Sequence, residues 1–524
     1  MQIMRGFGYY FFLLFLLFSC GQKKEKISSD VLPITDLTGR ELAEIHCASC
    51  HNFVPPAVLP KASWQFDVLP AMGNRLGIYN GKHQPDSIFG SPRNSLAVKK
   101  ANIFPETPLL AKADWMKIVA YYLENSPVDI LPPHRNITIK NSLKHFRYKE
   151  PLFADKPPLT TMVKILENKK GLVFSDSKRN KNQLIFLNSD LEKEQSLSLK
   201  NAPIHYYENE ETVYLTTAGR NIFPNDLSDG SVQNLVFNKN SLNIEPPIIS
   251  GLQRPVNMAF GDLNADGKED IVACEYGDLT GKLVWYENKG SSTYQAHLLK
   301  SVPGAIKAII KDYNKDGFND IFVLMAQGNE GVFYFENTGK GDFKEKQLLS
   351  FSPLNGSQNI ELVDFNNDGY EDIVYVCGDN ADKTPILKPY HGIYIFLNDG
   401  HLNFEQSFFY HQNGAYKAIS NDYDLDGDLD IAAISFFPDY LNSPEESFVY
   451  LENIGDLNFE ASTFSDSSKG RWIVMDAGDL DTDGDIDLVL GSFVQFFAKG
   501  DTTGLSKRWL TESPSVIILE NTIK

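Results

Sequence analysis

The chain has 524 residues, of which 42% are hydrophobic and 12% aromatic, so it is long enough for several folded domains with large cores. Its formal net charge of −19 argues against binding to nucleic-acid phosphates, which requires clustered Lys and Arg. The acidic residues must instead cover a solvated surface or gather at cation sites.

The N-terminal residues have the pattern of an export signal. After Arg5, residues 9–18 form an unbroken apolar run, too short to span a bilayer and typical of a signal-peptide core. The sequence LFSC that ends at Cys20 resembles the lipobox of bacterial lipoproteins, which implies that Cys20 becomes the lipidated first residue. An ordinary signal peptide with an incidental cysteine is the alternative. We expect a signal peptide at 1–19, a lipidated tether at 20–35, and a membrane-anchored protein in the periplasm or on the outer membrane or cell surface of a Gram-negative-type bacterium.

A C-x-x-C-H motif follows the tether, formed by Cys47, Cys50 and His51. A structural zinc site usually needs a second Cys or His pair nearby, and a thioredoxin-type redox pair accompanies a βαβ pattern; neither is present. Covalent haem attachment requires the histidine directly after the second cysteine, because the thiols bond to the porphyrin while the imidazole binds iron. The motif therefore predicts a c-type haem.

Two predicted helices flank the attachment motif. One ends at the motif, and the other covers the sequence LLAKADWMKIVAYYLEN and stops before Pro127. The apolar face of the second helix consists of Trp115, Ile118, Val119 and Tyr122. A helix ending in C-x-x-C-H and an aromatic C-terminal helix resemble a class I c-type cytochrome domain, over residues 36–128. The resemblance implies a small all-α domain that transfers single electrons.

The sixth ligand of the haem iron is less defined by the sequence. Met72 lies between Pro70 and Gly73, where we expect a loop that presents the thioether to the iron. Met116 falls one position off the core face of the C-terminal helix. The methionine of the family usually comes further after the attachment histidine, so His83, His46 or an open position remain alternatives.

Residues 129–159 are Pro-rich and predict a linker. From residue 160 to 524 a short apolar strand that ends in Asn recurs about every 50 to 70 residues, which is the length of one four-stranded propeller blade. The seven strands end at Asn188, Asn238, Asn288, Asn337, Asn398, Asn453 and Asn521. The repeat predicts an all-β propeller with seven blades.

A second repeat, D-x-[DN]-x-D-G-x-x-D, occurs in the last five units. Oxygen-bearing side chains at positions 1, 3, 5 and 9 with Gly at 6 are typical of a calcium loop. The side chains predicted to bind calcium belong to Asp262, Asn264, Asp266, Asp270, Asp312, Asn314, Asp316, Asp320, Asp364, Asn366, Asp368, Asp372, Asp422, Asp424, Asp426, Asp430, Asp479, Asp481, Asp483 and Asp487. These loops resemble the FG-GAP/VCBS repeats of integrin-α-type propellers, which implies that Ca²⁺ stabilises the turns. The related sequence from Asn225 lacks an oxygen ligand at position 3, so we do not extend calcium to it.

Two other groups of residues could carry chemistry. Cys274 and Cys377 lie in apolar strands and predict buried free thiols, too far apart in the repeat to form a disulfide. His391, His401 and His411 recur every ten residues and predict turn or surface positions.

The combination favours a membrane-anchored cytochrome that transfers single electrons, with the propeller as a docking scaffold for a redox protein, a small-molecule donor or a polymer. A propeller dehydrogenase that passes electrons to its own haem is the second hypothesis; the scarcity of Trp and the absence of a catalytic constellation in the sequence disfavour it. A surface adhesion protein is the third. We expect an electron carrier rather than a catalyst, and no nucleic-acid partner.

Overall fold

A computed structural model describes most of the chain after the N-terminal segment. The described ranges are 32–79, 92–130, 135–152, 155–166, 169–178, 181–220, 222–238, 241–381, 386–495 and 501–523. The expected signal peptide and Cys20 therefore lie outside the described residues. Within these ranges, no helix has the length and apolar character needed to cross a membrane.

The first folded part is a small unit of short helices. It contains α1 (Gly39–His46), α2 (Leu69–Arg75), α3 (Pro92–Ala101) and α4 (Lys112–Asn125), with short helical turns at Pro56–Val58, Lys61–Ser63 and Trp64–Val68. Helix α1 packs closely on α4, because a Cβ on Gly39 would lie only 2.2 Å from the carbonyl oxygen of Lys117. Trp115, Ile118 and Tyr122 are buried, which confirms the predicted apolar face of α4.

The rest of the described chain forms seven β-sheets, each of four antiparallel strands in its central part. Blade 1 contains β3 (Thr160–Ile165), β4 (Gly171–Lys178), β5 (Lys181–Asn188) and β6 (Lys193–Leu199). Blade 2 contains β7 (Pro203–Glu208), β8 (Val213–Thr217), β9 (Gly230–Asn238) and β10 (Ser241–Ile244), and β11 (Ile249–Leu252) also pairs with β9. Blade 3 contains β12 (Pro255–Gly261), β13 (Asp270–Glu275), β14 (Lys282–Asn288) and β15 (Tyr294–Lys300). Blade 4 contains β16 (Ala305–Lys311), β17 (Asp320–Met325), β18 (Gly331–Asn337) and β19 (Phe343–Ser350).

Blade 5 contains β20 (Ser357–Val363), β21 (Asp372–Cys377), β22 (Gly392–Asn398) and β23 (Phe404–His411). Blade 6 contains β24 (Ala415–Asn421), β25 (Asp430–Ser435), β26 (Phe448–Asn453) and β27 (Phe459–Ser462). Blade 7 contains β28 (Trp472–Gly478), β29 (Asp487–Ser492) and β30 (Val516–Asn521), with helix α5 (Leu505–Glu512) before β30. All seven strands that end in the recurring Asn are the third strands of their blades, which confirms the seven-bladed propeller.

The blades stand in a closed ring. The first strands of successive blades contact each other, and β28 of blade 7 contacts β3 of blade 1. The hydrophobic core is divided among the gaps between neighbouring blades; Phe322 of blade 4, for example, packs with Ile360 and Tyr375 of blade 5. The first strands consequently line a central channel, and each blade is held by apolar contacts on both of its faces.

Residues 135–149 close this ring. Strand β2 (Phe146–Lys149) pairs antiparallel with β30 and completes blade 7, and β1 (Ile139–Lys140) adds parallel to β27 at the outer edge of blade 6. Before them, Arg135 forms an ion pair with the fully buried Glu446 of blade 6. Part of the segment interpreted as a linker is therefore a structural element of the propeller, joined to residues more than 300 positions later in the chain.

Candidate functional site

The C-x-x-C-H motif lies at the end of helix α1. The helix begins with a capping box in which the Glu41 N–H donates to Thr38 Oγ1 at 3.3 Å and the Thr38 N–H donates to Glu41 Oε2 at 2.8 Å. It ends at His46, and Cys47 is the C-cap residue. Cys50 is exposed and Cys47 is partly buried. The capped helix thus positions both cysteines of the motif, one of them open to solvent.

The ring of His51 is oriented by the backbone. Its Nδ1 lies 2.7 Å from the carbonyl oxygen of Asn52. A carbonyl oxygen only accepts hydrogen bonds, so Nδ1 carries the proton and Nε2 keeps the lone pair of the neutral imidazole. Metal-binding histidines are commonly held in this way. The donor set of the motif therefore fits a haem iron, with Nε2 of His51 as the ligand atom.

Cys47 lies against the aromatic core of the helical unit. Burial raises the pKa of its thiol to about 11, and the phenol of Tyr122 lies beside it. The Tyr122 hydroxyl donates to the Val54 carbonyl at 2.9 Å and its ring lies 4.3 Å from that of Trp64. One side of the C-x-x-C-H motif is therefore apolar and aromatic, which fits the face of a porphyrin.

Met72 and Cys47 are both partly buried and pack against the same apolar cluster. The expectation that Met72 lies on a loop is wrong, because residues 69–75 form helix α2. The helix tolerates Pro70 because this residue falls in the first turn, where the backbone N–H has no partner within the helix. Met116 is 52% exposed on α4 and points away from this cluster. His46 is half-buried at the end of α1, and His83 lies outside the described residues. Met72 stays the predicted sixth ligand.

The motif faces the propeller. The Asn52 side-chain amide donates to Ser350 Oγ at 2.7 Å, and a Cβ on Gly328 would lie 3.8 Å from the Cys50 carbonyl oxygen. Leu354 and Ile386 of the propeller join the apolar cluster of the helical unit. Gly328 and Ile386 lie in loops between the second and third strands of their blades, Ser350 is the last residue of β19, and Leu354 lies in the loop that follows it. We call this side of the ring the docking face.

The five D-x-[DN]-x-D-G-x-x-D loops, here called the acidic loops, join the first and second strands of blades 3–7. Antiparallel pairing therefore places them on the side opposite the docking face. In the loop of blade 4, Asp312 accepts the N–H groups of Asp316 at 3.0 Å and of Gly317 at 3.0 Å. The equivalent bonds occur in the other four loops. Positive φ angles at positions 4 and 6, 59° at Lys315 and 93° at Gly317, curl the chain around the carboxylates.

The aspartate at position 9 has a structural role that the sequence did not indicate. In blade 4, Asp320 is fully buried and accepts the Asn337 N–H at 2.8 Å and the Tyr334 hydroxyl at 2.8 Å. Asp270, Asp372, Asp430 and Asp487 accept the N–H of the recurring Asn of their own blades at 2.7–2.8 Å. Burial raises the pKa of Asp430 to about 7 and that of Asp487 to about 6. The two sequence repeats thus bond to each other within every acidic-loop blade.

The recurring Asn also joins neighbouring blades. The side-chain amide of Asn337 in blade 4 donates to the carbonyl oxygens of Asn319 at 2.9 Å and of Leu263 at 2.8 Å, and Leu263 belongs to the acidic loop of blade 3. Asn521 of blade 7 donates in the same way to the Tyr423 carbonyl of blade 6 at 2.7 Å. The recurring Asn thus forms hydrogen bonds between blades at Asn337, Asn398 and Asn521, whereas the amides of Asn288 and Asn453 donate to carbonyl oxygens of their own blades.

Blades 6 and 7 bring three carboxylates together at positions 1, 3 and 5 of their acidic loops. One carboxylate oxygen from each member lies within 4.8 Å of the others in the groups Asp422, Asp424, Asp426 and Asp479, Asp481, Asp483. Asp485 at position 7 of blade 7 is only 3% exposed, and neither of its carboxylate oxygens meets a hydrogen-bond donor among the described residues. Burial and the charges of Asp483 and Asp487 raise its pKa to about 7. This orphaned carboxyl makes blade 7 the acidic loop that best fits a cation.

Blades 3–5 offer less negative charge in these loops, because position 3 is Asn. The Asn314 amide donates to Asp316 at 3.0 Å and the Asn366 amide donates to Asp368 at 2.9 Å. In blade 3, Lys268 forms an ion pair with Asp266 at 2.6 Å. The sequence from Asn225 lies between the second and third strands of blade 2, on the docking face, and so differs in position from the acidic loops.

Two of the three regularly spaced histidines are buried, so the expectation of surface positions is wrong for them. His391 and His411 are 1% and 5% exposed at the junction of blades 5 and 6, whereas His401 is exposed on a turn. Burial and the charge of Arg135 lower the pKa of His411 to about 4. Cys274 and Cys377 are buried and free, as predicted.

Comparison with known proteins supports the propeller. Residues 312–375 match the FG-GAP-like repeat. That segment begins at the acidic loop of blade 4 and ends in the second strand of blade 5, so one full blade repeat lies within the FG-GAP-like match. No curated protein matches the chain.

Among solved structures, virginiamycin B lyase from Staphylococcus aureus is 11% identical, with 72% of this chain and 100% of that chain covered and a TM-score of 0.44. A Saccharomyces cerevisiae complex of Dbp5 with Nup159, Gle1, IP6 and ADP contains a chain of 11% identity, with 74% of this chain and 98% of that chain covered and a TM-score of 0.41.

Proposed function

We propose that the protein is an exported, membrane-anchored c-type cytochrome that transfers single electrons, with the FG-GAP-like propeller as its docking scaffold. The observation that carries the proposal is the C-x-x-C-H motif at the end of α1, with the His51 ring held through its Nδ1. Bound at these residues, a haem would supply reversible one-electron chemistry. The proposed membrane anchor is inferred from the lipobox-like sequence that ends at Cys20.

The chain's own residues would have distinct roles around the haem. Cys47 and Cys50 hold the porphyrin covalently, and His51 binds the iron while the Asn52 carbonyl fixes its tautomer. Met72, which packs against the same apolar cluster as Cys47, would be the second protein ligand of the iron. A Met/His pair raises the reduction potential and favours electron transfer over oxygen chemistry.

The propeller would restrict access to the haem. The contacts of Asn52 with Ser350 and of Cys50 with Gly328 place the motif against the docking face. A redox partner must then approach from the side of the helical unit that the propeller leaves open. The propeller and the helical unit together would define the orientation of the redox partner. This supports a propeller that docks the partner over a propeller that catalyses a reaction of its own.

Calcium is the proposed ligand of the acidic loops, with the loop of blade 7 as the strongest site. Three converging carboxylates and the orphaned carboxyl of Asp485 create repulsion that a divalent cation removes. Because these loops join the first two strands of a blade on the side away from the C-x-x-C-H motif, calcium would stabilise the fold and take no part in electron transfer.

The test uses the visible spectrum of the oxidised protein, produced in a host that matures c-type cytochromes. Reduced small cytochromes, sugars, alcohols and aldehydes are added in separate experiments. We expect reduction by redox proteins and chemical reductants only. Reduction by a small organic compound alone would contradict the carrier function and favour a dehydrogenase.

A further inference from the structure

The central channel contains charged side chains that neither the haem nor the acidic loops involve. They come from the first strands of six different blades: Lys164, His205, Lys307, Glu361, Lys417 and Asp476. Lys417 of blade 6 and Asp476 of blade 7 act electrostatically on Lys307 of blade 4, and Lys307, Lys417 and Lys164 act on His205 of blade 2. Lys307, Lys417 and His205 are each the third residue of their first strand, directly after a β-bulge, so the ring places them at the same level of the channel.

Most of these groups already have partners. Lys164 pairs with Asp476 at 3.2 Å, and Asp476 also accepts the Ile165 N–H at 2.9 Å. The Lys417 ammonium donates to the Met475 carbonyl at 2.8 Å, and Glu361 accepts the Ser420 N–H at 2.8 Å. Each of these bonds joins the first strands of neighbouring blades, so the partnered groups hold the inner ring together.

Two groups in the channel have no such partner. No hydrogen bond or ion pair to the Lys307 ammonium is found in the part of the chain that the structure describes. His205 Nδ1 is buried and likewise lacks a partner among the described residues. Burial lowers the pKa of His205 to about 3, so the ring is neutral and can donate one N–H.

The charge balance in the channel is positive. Three lysines face two carboxylates, and the charge of Lys417 acts on Lys307 more strongly than each of the opposing charges of Glu361 and Asp476. Burial and the charge of Lys417 lower the pKa of Lys307 to about 8, so it is still mostly protonated at neutral pH. An enclosed ammonium beside a like charge is stabilised by a counter-ion of opposite sign.

We propose that the central channel binds one small anion between Lys307, Lys417 and His205. The ligand is an inorganic anion or the carboxylate of a small organic acid, held by the two ammonium groups and by an N–H of the neutral imidazole. The site is independent of the haem, because its residues belong to the inner strands of blades 2, 4 and 6.

The first test locates the anion directly. Crystals of the full protein are grown with sodium bromide in place of chloride, and the anomalous signal of bromine is measured. We expect a bromide peak in the channel beside the Lys307 ammonium. A well-ordered channel with no bromide there would overturn the proposal, and this result requires no variant to fold.

The second test measures the affinity and the preferred class of anion. The melting temperature is followed as sodium chloride, phosphate or succinate is added, for the wild type, for Lys307→Met and for the matched control Lys346→Met, whose lysine is exposed on the outer strand of the same blade. We expect a saturable rise for the wild type and the control, with the half-saturating concentration at least tenfold higher in Lys307→Met. Equal titrations for all three proteins would contradict the site. The anion that saturates at the lowest concentration distinguishes a halide, a phosphate and a dicarboxylate.

Discussion

Replacing Asn337 by Ala tests whether the Asn repeat holds neighbouring blades together. The side chain is fully buried and makes three hydrogen bonds: its amide donates to the Leu263 and Asn319 carbonyl oxygens, and its Oδ1 accepts the Gly339 N–H at 3.0 Å. Asn337→Ala removes all three while keeping the backbone bond to Asp320.

The magnitude follows from the groups left behind. A hydrogen bond contributes about 1 kcal/mol net, and a buried polar group without a partner costs about 1–3 kcal/mol. Two carbonyl oxygens and one N–H would lose their bonds; the bond to Leu263 is fully buried, and the other two are partly buried. We therefore expect the free energy of unfolding to fall by about 3–5 kcal/mol.

The assay is equilibrium unfolding in urea, followed by the circular dichroism of the sheets. Asn329→Ala is the matched control, because Asn329 is exposed in the same blade and makes one 3.3 Å bond to Gln347. We expect the control to change stability by about 0.5 kcal/mol or less. A loss below about 1 kcal/mol for Asn337→Ala would refute the role of the Asn repeat in joining blades.

Three further changes test other parts of the structure. Asp485→Asn should raise the melting temperature in EGTA, because it removes the orphaned carboxyl. It should also reduce the increase in melting temperature that calcium produces. An unchanged response to calcium would mean that the loop of blade 7 holds no cation. Folding lowers the pKa of His411 from 6.5 to about 4, so between these pH values the unfolded chain binds more protons than the folded protein. The free energy of unfolding should therefore fall by about 3 kcal/mol as the pH drops from 6.5 to 4. When this free energy is measured against pH, His411→Gln should show a flatter slope than the wild type. Arg135→Met should lower the free energy of unfolding by about 3 kcal/mol at pH 8. The loss should be smaller at pH 5, because burial raises the pKa of Glu446 to about 7 and its carboxyl is protonated at pH 5. Equal losses of stability in thermal unfolding at both pH values would contradict a charged pair.

The propeller could be predicted from the sequence because its two repeats are local. The strand ending in Asn and the nine-residue acidic loop each fall within a short window, and their spacing fixes the number of blades. Their mutual contact, such as the bond between Asn337 and Asp320, joins residues 17 positions apart and was not visible in either pattern alone.

The remaining features depend on contacts between distant parts of the chain. Strand β2 pairs with residues at the far end of the sequence, and nothing in the Pro-rich segment around it has a strand pattern. The channel charges are single residues, such as Lys307 and Lys417, that only the closed ring brings together. Met72 falls on a helix instead of a loop because Pro70 is compatible with a first helical turn, which a Pro-based rule cannot distinguish from a loop.

Peptide mass spectrometry can show whether Cys47 and Cys50 carry a covalently attached haem. The protein is produced in a host that matures c-type cytochromes, digested with a protease, and the peptide containing Cys47 and Cys50 is identified. We expect this peptide to carry one haem through two thioether bonds, and we expect the double variant Cys47→Ala, Cys50→Ala to carry no haem. An unmodified peptide with two free thiols would show that the protein is not a c-type cytochrome.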